Sequence, residues 1–224
     1  MDVEPYGARR PDGQPVAWSA LDDHLLYTCH LVSDLVEGRL GGRPPIPTTA
    51  RLEPGELSLA AGPAAQFAWR ALGDGTYTHN SVFAFGGPAF VAGSLAASAL
   101  GNAARRRRAA ADAQPRWVHE RPGEVTVTDR RVCFDGVGGP LDLYWRGLDS
   151  MDLVAPDTLQ CAFQDIYGGG FRTVRLQTPW ASLMFALAGH TTFPAHPRLL
   201  SGAWLPPDFE ARCAATGRPC PPVR

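Results

Sequence analysis

The order of apolar and polar residues predicts a helix near the start of the chain. From Ser19 to Leu40, apolar residues recur every three or four positions, which places them along one face of a helix. Asp22 follows Ser19 at the spacing of a capping box. Glycines after Val36 and a proline run from Pro44 end the pattern. Residues 1–50 are therefore expected to form an N-terminal helix and a Pro-rich linker.

After the linker the apolar period changes from about 3.6 to 2, which is the period of β-strands. Two short strands are expected over residues 56–60 and 66–70, and turn residues then recur at roughly ten-residue intervals in the second half. The later strands are predicted over residues 124–128, 131–134, 141–145, 150–154, 158–163 and 171–177. Apolar residues from Trp180 to Ala188 predict an amphipathic helix that ends at Gly189, and residues 194–224 form a Pro-rich, irregular tail.

A hydrophobic insert separates the early strands from the later ones. Residues 81–104 contain no charged side chain, and Arg105, Arg106, Arg107 and Arg108 follow at once. A helix is predicted from Pro88 to about Gln114. At about 1.5 Å per residue the uncharged run is long enough to cross a bilayer core of roughly 30 Å, although Gly, Ala and Ser dominate it. Packing against the protein or a partner is the favoured interpretation, and contact with a membrane or insertion through one are the alternatives.

Composition limits the possible chemistry. The chain has 224 residues, of which 45% are hydrophobic, so it can build a core. Its 21 basic residues are all arginine, and with 22 acidic residues the formal charge is −1. Without lysine there is no Schiff base to pyridoxal phosphate, no P-loop lysine and no Ser–Lys dyad. The near-neutral charge also argues against an overall electrostatic attraction to nucleic acid.

The potential ligands and nucleophiles do not form a recognisable motif. Five cysteines are scattered along the chain, which predicts reduced thiols in a cytoplasmic protein. Only Cys213 and Cys220 are near neighbours; their spacing matches no zinc motif, but a local bridge would form under oxidising conditions. Histidine and acidic residues lack metal-ligand and acid–base spacings. We therefore predict no catalytic residue, no metal site and no cofactor.

One hairpin resembles that of bacterial pleckstrin-homology-like (PH-like) and GRAM domains. It runs from Gly123 to Phe134 and reads GEVTVTDRRVCF, close to a pattern in which a Thr and an Arg three residues later frame the turn. The stretch from Phe83 to Arg108 is also similar to actinobacterial proteins that pair such an insert with this hairpin. The resemblance covers about residues 53–192. It implies an α+β fold: a PH-like antiparallel β-barrel or sandwich over residues 51–193, capped by a C-terminal helix and carrying a helical insert at about 81–114.

The expected function is non-enzymatic binding, because the resemblance is to binding modules. Apolar side chains of the insert would contact a protein partner or a second copy of the chain, and the four arginines would contact an anionic surface. The proposed partner contacts are Phe83, Phe85, Phe90, Val91 and Leu95, and the proposed anionic-surface contacts are Arg105, Arg106, Arg107 and Arg108. The alternative is an insert that contacts anionic lipid at the inner face of the plasma membrane. Nucleic acid is not an expected partner, since no RNA-binding aromatic signature accompanies the arginines.

Overall fold

Seven antiparallel strands form one sheet, so the predicted α+β class is confirmed. The computed structural model describes residues 17–73, 103, 105–165 and 170–223. The strand order across the sheet is β4-β3-β2-β1-β7-β6-β5. The strands are β1 (Ser58–Arg70), β2 (Arg116–Thr128), β3 (Arg131–Gly136), β4 (Leu141–Tyr144), β5 (Leu148–Ala155), β6 (Thr158–Asp165) and β7 (Gly170–Gln177).

The chain divides into two compact units. The larger unit contains the described residues of 1–67 and 119–224, and the smaller one contains those of 68–118. The helices of the larger unit are α1 (Ala20–Val36), α2 (Ala181–Thr192), α3 (Pro197–Leu200) and α4 (Phe209–Ala215), with short 3₁₀ turns at Leu40–Gly42 and Trp145–Gly147. The predicted capping box of α1 is confirmed, because Ser19 Oγ accepts from Asp22 N and Asp22 Oδ2 accepts from Ser19 N.

The first strand differs from the prediction. One continuous strand, β1, replaces the two short strands expected over 56–60 and 66–70. Gly62 lies inside it because the Trp180 indole packs there: a Cβ at this position would meet Trp180 Nε1 at 2.9 Å, and the same Nε1 donates to Ala61 O. A glycine inside a strand can mark the close approach of another group as well as a turn, so the residue type alone was misleading.

The hairpin between β2 and β3 forms where the sequence predicts it. Val125 pairs with Phe134 and Val127 with Val132, and all four side chains are buried. Gly123 is required by the tight crossing to the partner strand, since a Cβ there would lie 2.2 Å from Asp135 O. The Gly and Phe of the hairpin pattern therefore have packing roles.

Helix α2 is buried around its whole circumference. Every residue from Ala181 to Gly189 is buried, so the predicted helix is confirmed but its amphipathic character is wrong. The helix also continues to Thr192, beyond the end predicted at Gly189. The helix contacts β5 and β6 of the sheet and also contacts α1. Its polar groups are satisfied, as Ser182 Oγ donates to Pro156 O and Thr192 Oγ1 donates to Trp145 O. A helix that is apolar on all sides needs cover on all sides, which one sheet face cannot provide.

The C-terminal tail supplies part of that cover and is not the irregular segment that the sequence predicts. It contains α3 and α4, and Trp204, Phe209 and Cys213 are at most 1% exposed. Leu199 lies so close to α2 that a Cβ on Gly189 would be 3.2 Å from its Cδ2. Prolines in this segment limit helix length without preventing burial, which explains the error.

The hydrophobic insert lies mostly outside the described residues, including the helix start predicted at Pro88. Residues 105–112 are helical, as the sequence predicts for this stretch. In the parts of the chain that the structure describes, no helix has both the length and the apolarity needed to cross a membrane.

We expect Phe209→Ala to lower the free energy of unfolding by about 3–5 kcal/mol, because a fully buried aromatic ring is removed from the core. Leu200→Ala is the matched control in the same tail: Leu200 is 71% exposed, and its loss should change stability by no more than about 0.5 kcal/mol. Urea denaturation followed by tryptophan fluorescence measures both. Equal, small effects would show that the tail is not part of the cooperative core.

Candidate functional site

The two sets of predicted site residues have different outcomes. The partner-contact residues Phe83, Phe85, Phe90, Val91 and Leu95 lie outside the described residues. Arg105, Arg106, Arg107 and Arg108 lie on the described helix, and all four are exposed. Successive residues on a helix are turned by about 100°, so the four guanidinium groups project around the helix and cannot converge on one small anion. Such an array suits an extended acidic surface.

The helix that carries the arginines (residues 105–112, the arginine helix) is joined to neighbouring residues at its C-terminal end. The amides of Leu72 and Gly73 donate to Asp112 O at 2.8 and 3.0 Å. Arg116 donates from Nη1 to Ala111 O at 2.8 Å and from Nη2 to Asp112 Oδ1 at 3.0 Å. These bonds satisfy carbonyl groups that a helix end leaves without an internal partner. The exposed arginines therefore stand on an ordered base.

The smaller unit is strongly basic and carries exposed apolar surface. Its described residues, 68–73, 103 and 105–118, include six arginines and one aspartate, although the whole chain has a charge of −1. Trp69 is 53% exposed and meets Trp117 in an edge-on contact with ring centroids 5.4 Å apart. Leu72 is also 53% exposed. Basic charge beside a half-exposed tryptophan is a combination typical of recognition surfaces.

A second polar cluster, which sequence reasoning missed, lies at the β2–β3 turn of the larger unit. Thr128 Oγ1 accepts from the amides of Arg130 and Arg131 at 3.1 and 2.9 Å and donates to Glu56 Oε1 at 2.8 Å. The Thr and Arg of the hairpin pattern thus fix the turn and join it to the segment before β1, residues 43–57, which extends the predicted linker as far as Glu56. The pattern itself was a signal for this cluster, but nothing in it identifies Glu56, 75 residues earlier than Arg131, as the partner.

Arg131 uses all five of its N–H donors. It makes a two-pronged bond to Glu56, from Nε and Nη2, at 2.9 and 3.0 Å. The remaining donors reach Asp142 Oδ2 and Tyr144 Oη from Nη1 and Arg51 O from Nη2, at distances of 2.9–3.0 Å. A guanidinium has five donors, so this one has none left for a ligand.

The charge states follow from this geometry. Burial opposes ionisation of Glu56, but hydrogen bonds from Arg131, the Glu53 amide and Thr128 outweigh it and hold the pKa of Glu56 below its usual value. The hydrogen bond to Glu56 raises the pKa of Arg131 above its usual value despite burial. Both groups are ionised at neutral pH, and their side chains are 0% and 6% exposed. They form a buried, bidentate ion pair.

A cavity of about 640 Å³ lies beside this ion pair, between residues 49–54 and strands β2–β4. Cys133 lines it, and burial followed by the nearby Asp142 carboxylate raises the pKa of this thiol to about 12. At neutral pH the thiol is protonated and is a poor nucleophile. With Arg131 saturated and Cys133 protonated, the geometry supports a structural clamp for the linker rather than a reactive centre.

Metal binding gains no support from the described ranges 17–73, 103, 105–165 and 170–223: no group of three or more His, Cys, Asp or Glu side chains in them is arranged to hold an ion. Comparison with protein-family models, with curated proteins and with solved structures finds no match to this chain. The arginine helix and its surroundings in the smaller unit are therefore the candidate binding site, on physical grounds alone.

We expect Arg131→Gln to lower the free energy of unfolding by about 3–5 kcal/mol, because Glu56 would be left buried without its counter-ion. The adjacent Arg130→Gln is the matched control: Arg130 is 42% exposed, and its ion pair with Glu53 is long at 3.5 Å. A surface pair of this kind is worth at most about 1 kcal/mol. Chemical denaturation distinguishes the two, and similar losses in both variants would rule out the clamp.

The lowered pKa of Glu56 also predicts a pH dependence of stability. A carboxyl group with a lower pKa in the folded state stabilises the protein fully above its unfolded pKa, about 4.5. That stability is lost as the pH falls through the folded value. The wild-type protein should therefore lose stability from about pH 5 downward more steeply than Glu56→Gln. Glu124→Gln, at an exposed carboxyl on β2, should retain the wild-type slope; a Glu56→Gln variant that also retains it would contradict the assignment.

Proposed function

We propose that this protein is a non-enzymatic binding module that recognises an acidic protein partner through the arginine helix and the hydrophobic insert before it. The exposure of four consecutive arginines on an ordered helix carries the proposal. Like charges clustered on a surface repel one another and lower the stability of the free protein. An oppositely charged partner that covers the cluster offsets this repulsion. Half-exposed Trp69 and Leu72 in the same unit provide apolar contact area beside that charge.

The PH-like architecture is part of the same proposal. The observations that support it are the seven antiparallel strands, their order across the sheet, and helix α2 directly after β7. In such a domain the C-terminal helix packs against the sheet and closes one end of the barrel. Partners are therefore expected to bind at the loops and inserts. The insert lies between β1 and β2, at one such connection.

Anionic lipid is the second candidate ligand, favoured by one observation. Trp69 is 53% exposed in a unit whose described charged residues are six arginines and one aspartate, and tryptophan with basic residues is enriched where proteins meet the membrane–water interface. The two candidates differ in the surface that the arginines contact, and experiment separates them directly.

The test compares two variants with equal charge change. In the first, Arg105, Arg106, Arg107 and Arg108 become Gln; in the control, Arg39, Arg51, Arg146 and Arg172, which are exposed elsewhere, become Gln. We expect the first variant to lose affinity for the captured partner by roughly tenfold to a hundredfold at low salt, since steering by local charge is removed. The control should bind as the wild type does.

Two readouts decide the class of partner. Affinity capture from the native host followed by a binding titration against salt measures the protein interaction, and sedimentation with phosphatidylglycerol vesicles against phosphatidylcholine vesicles measures the lipid interaction. Arginine-dependent sedimentation with the anionic vesicles alone would favour the lipid candidate. Equal behaviour of both variants in both assays would refute a role for the arginine helix.

Phe90→Asp with Leu95→Asp tests the insert, and it should remove the captured partner while the protein stays folded.

A further inference from the structure

Three of the five cysteines meet at one place in the larger unit. Cys29 lies on α1, Cys213 on α4 and Cys220 in the segment after α4 (together, the thiol cluster). Cys29 and Cys213 are buried in the core, and Cys220 is half-buried and packs against the same core. The Cys220 side chain is near enough to the other two that, after burial, it contributes to raising the pKa of both Cys29 and Cys213. Cys220 is therefore the shared member of two thiol pairs.

The backbone after α4 brings Cys220 back towards Cys213. Gly217 has a φ of 67°, in the left-handed region that favours glycine, and Arg218 N donates to Cys213 O at 2.9 Å. Cys213 and Cys220 then line one cavity of about 580 Å³. A small solute that enters this cavity reaches the half-buried thiol before it reaches the buried ones.

Ion pairs hold this segment against α1. Arg212 Nη2 donates to Asp22 Oδ1 at 2.7 Å, and Arg218 pairs with Asp23. The Arg218 guanidinium also lies 4.6 Å from the centroid of the Trp18 ring. The segment that carries Cys220 is therefore held against α1, the helix that carries Cys29.

We propose that Cys220 is a peroxide-reactive thiol that forms a reversible disulfide with Cys213 or with Cys29. Exposure sets the order of events. Burial raises the pKa of Cys213 to about 11 and also raises the pKa of Cys29, so at neutral pH these two thiols are protonated and do not react first with peroxide. Half-buried Cys220 reacts with the oxidant first. The thiol of Cys213 or Cys29 then attacks the oxidised Cys220 sulfur and forms the disulfide.

The reaction balances with hydrogen peroxide as the oxidant. The Cys220 thiolate attacks one peroxide oxygen, an S–O bond forms, the O–O bond breaks and hydroxide leaves, which gives a sulfenic acid. The second thiol loses its proton and attacks the Cys220 sulfur; an S–S bond forms, the S–O bond breaks and a second hydroxide leaves. The two sulfurs lose two electrons, the two oxygens gain them, and both hydroxides are released as water.

Mass spectrometry of the full chain treated with hydrogen peroxide tests the proposal. The expected product is lighter by two hydrogens and returns to the starting mass with dithiothreitol. After alkylation and trypsin digestion, a Cys213–Cys220 bond appears within one peptide, residues 213–224, because a proline follows Arg218 and blocks cleavage there. A Cys29–Cys220 bond instead appears as two linked peptides. Either product supports the proposal.

Two variants make the test specific. Cys220→Ser should abolish the disulfide, and Cys161→Ala, at a buried cysteine outside the thiol cluster, should form it as the wild type does. A Cys29→Ala/Cys213→Ala variant that remains folded should accumulate the sulfenic acid, which dimedone traps. Oxidation of Cys133 or Cys161 before Cys220, conversion of Cys220 to the sulfinic acid without a disulfide, or no reaction at Cys220 would each overturn the proposal.

Discussion

The structure of the larger unit depends on one constraint, the burial of α2 on every side. A helix with no polar face gains most of its stabilisation from the hydrophobic effect, but only when all of its surface is covered. The sheet covers one side through β5 and β6, and α1 and the C-terminal helices supply further cover. This explains why α1 lies beside the C-terminal segment: Arg212 and Arg218 pair with Asp22 and Asp23 in the first turn of α1.

A single ion pair has an equivalent role for the linker before β1. The Glu56–Arg131 pair fixes the linker to the β2–β3 turn, and Thr128 connects the same carboxylate to the turn amides. Removing the two charges from water costs free energy, and their Coulomb attraction offsets only part of that cost. The main effect of the pair is therefore to disfavour other arrangements of the linker, in which one charge would be buried alone. The Thr and Arg of the hairpin pattern are therefore explained by folding, independently of any ligand.

The arginines of this protein differ in solvent exposure, and the proposed recognition role applies only to the exposed ones. Arg131 is buried with every donor paired, whereas its neighbour Arg130 is 42% exposed and Arg105–Arg108 are exposed on a helix. Only exposed guanidinium groups retain the long-range electrostatic field that recognition of a charged partner requires. The proposed binding site therefore rests on the exposed arginines, and the buried ones account for stability.

Local sequence was enough to predict several elements: the capping box of α1, the β2–β3 hairpin, the later strands and the helix after Pro179 follow from period, caps and turn residues. It also located the exposed arginines of residues 105–108, because charge runs are costly to bury. Four features became visible only in the folded chain: β1 runs through Gly62, Glu56 pairs with Arg131, the tail joins the core, and three distant cysteines lie near one another. These are contacts between residues far apart in the chain, and a periodicity within one segment contains no information about which other segment will cover it.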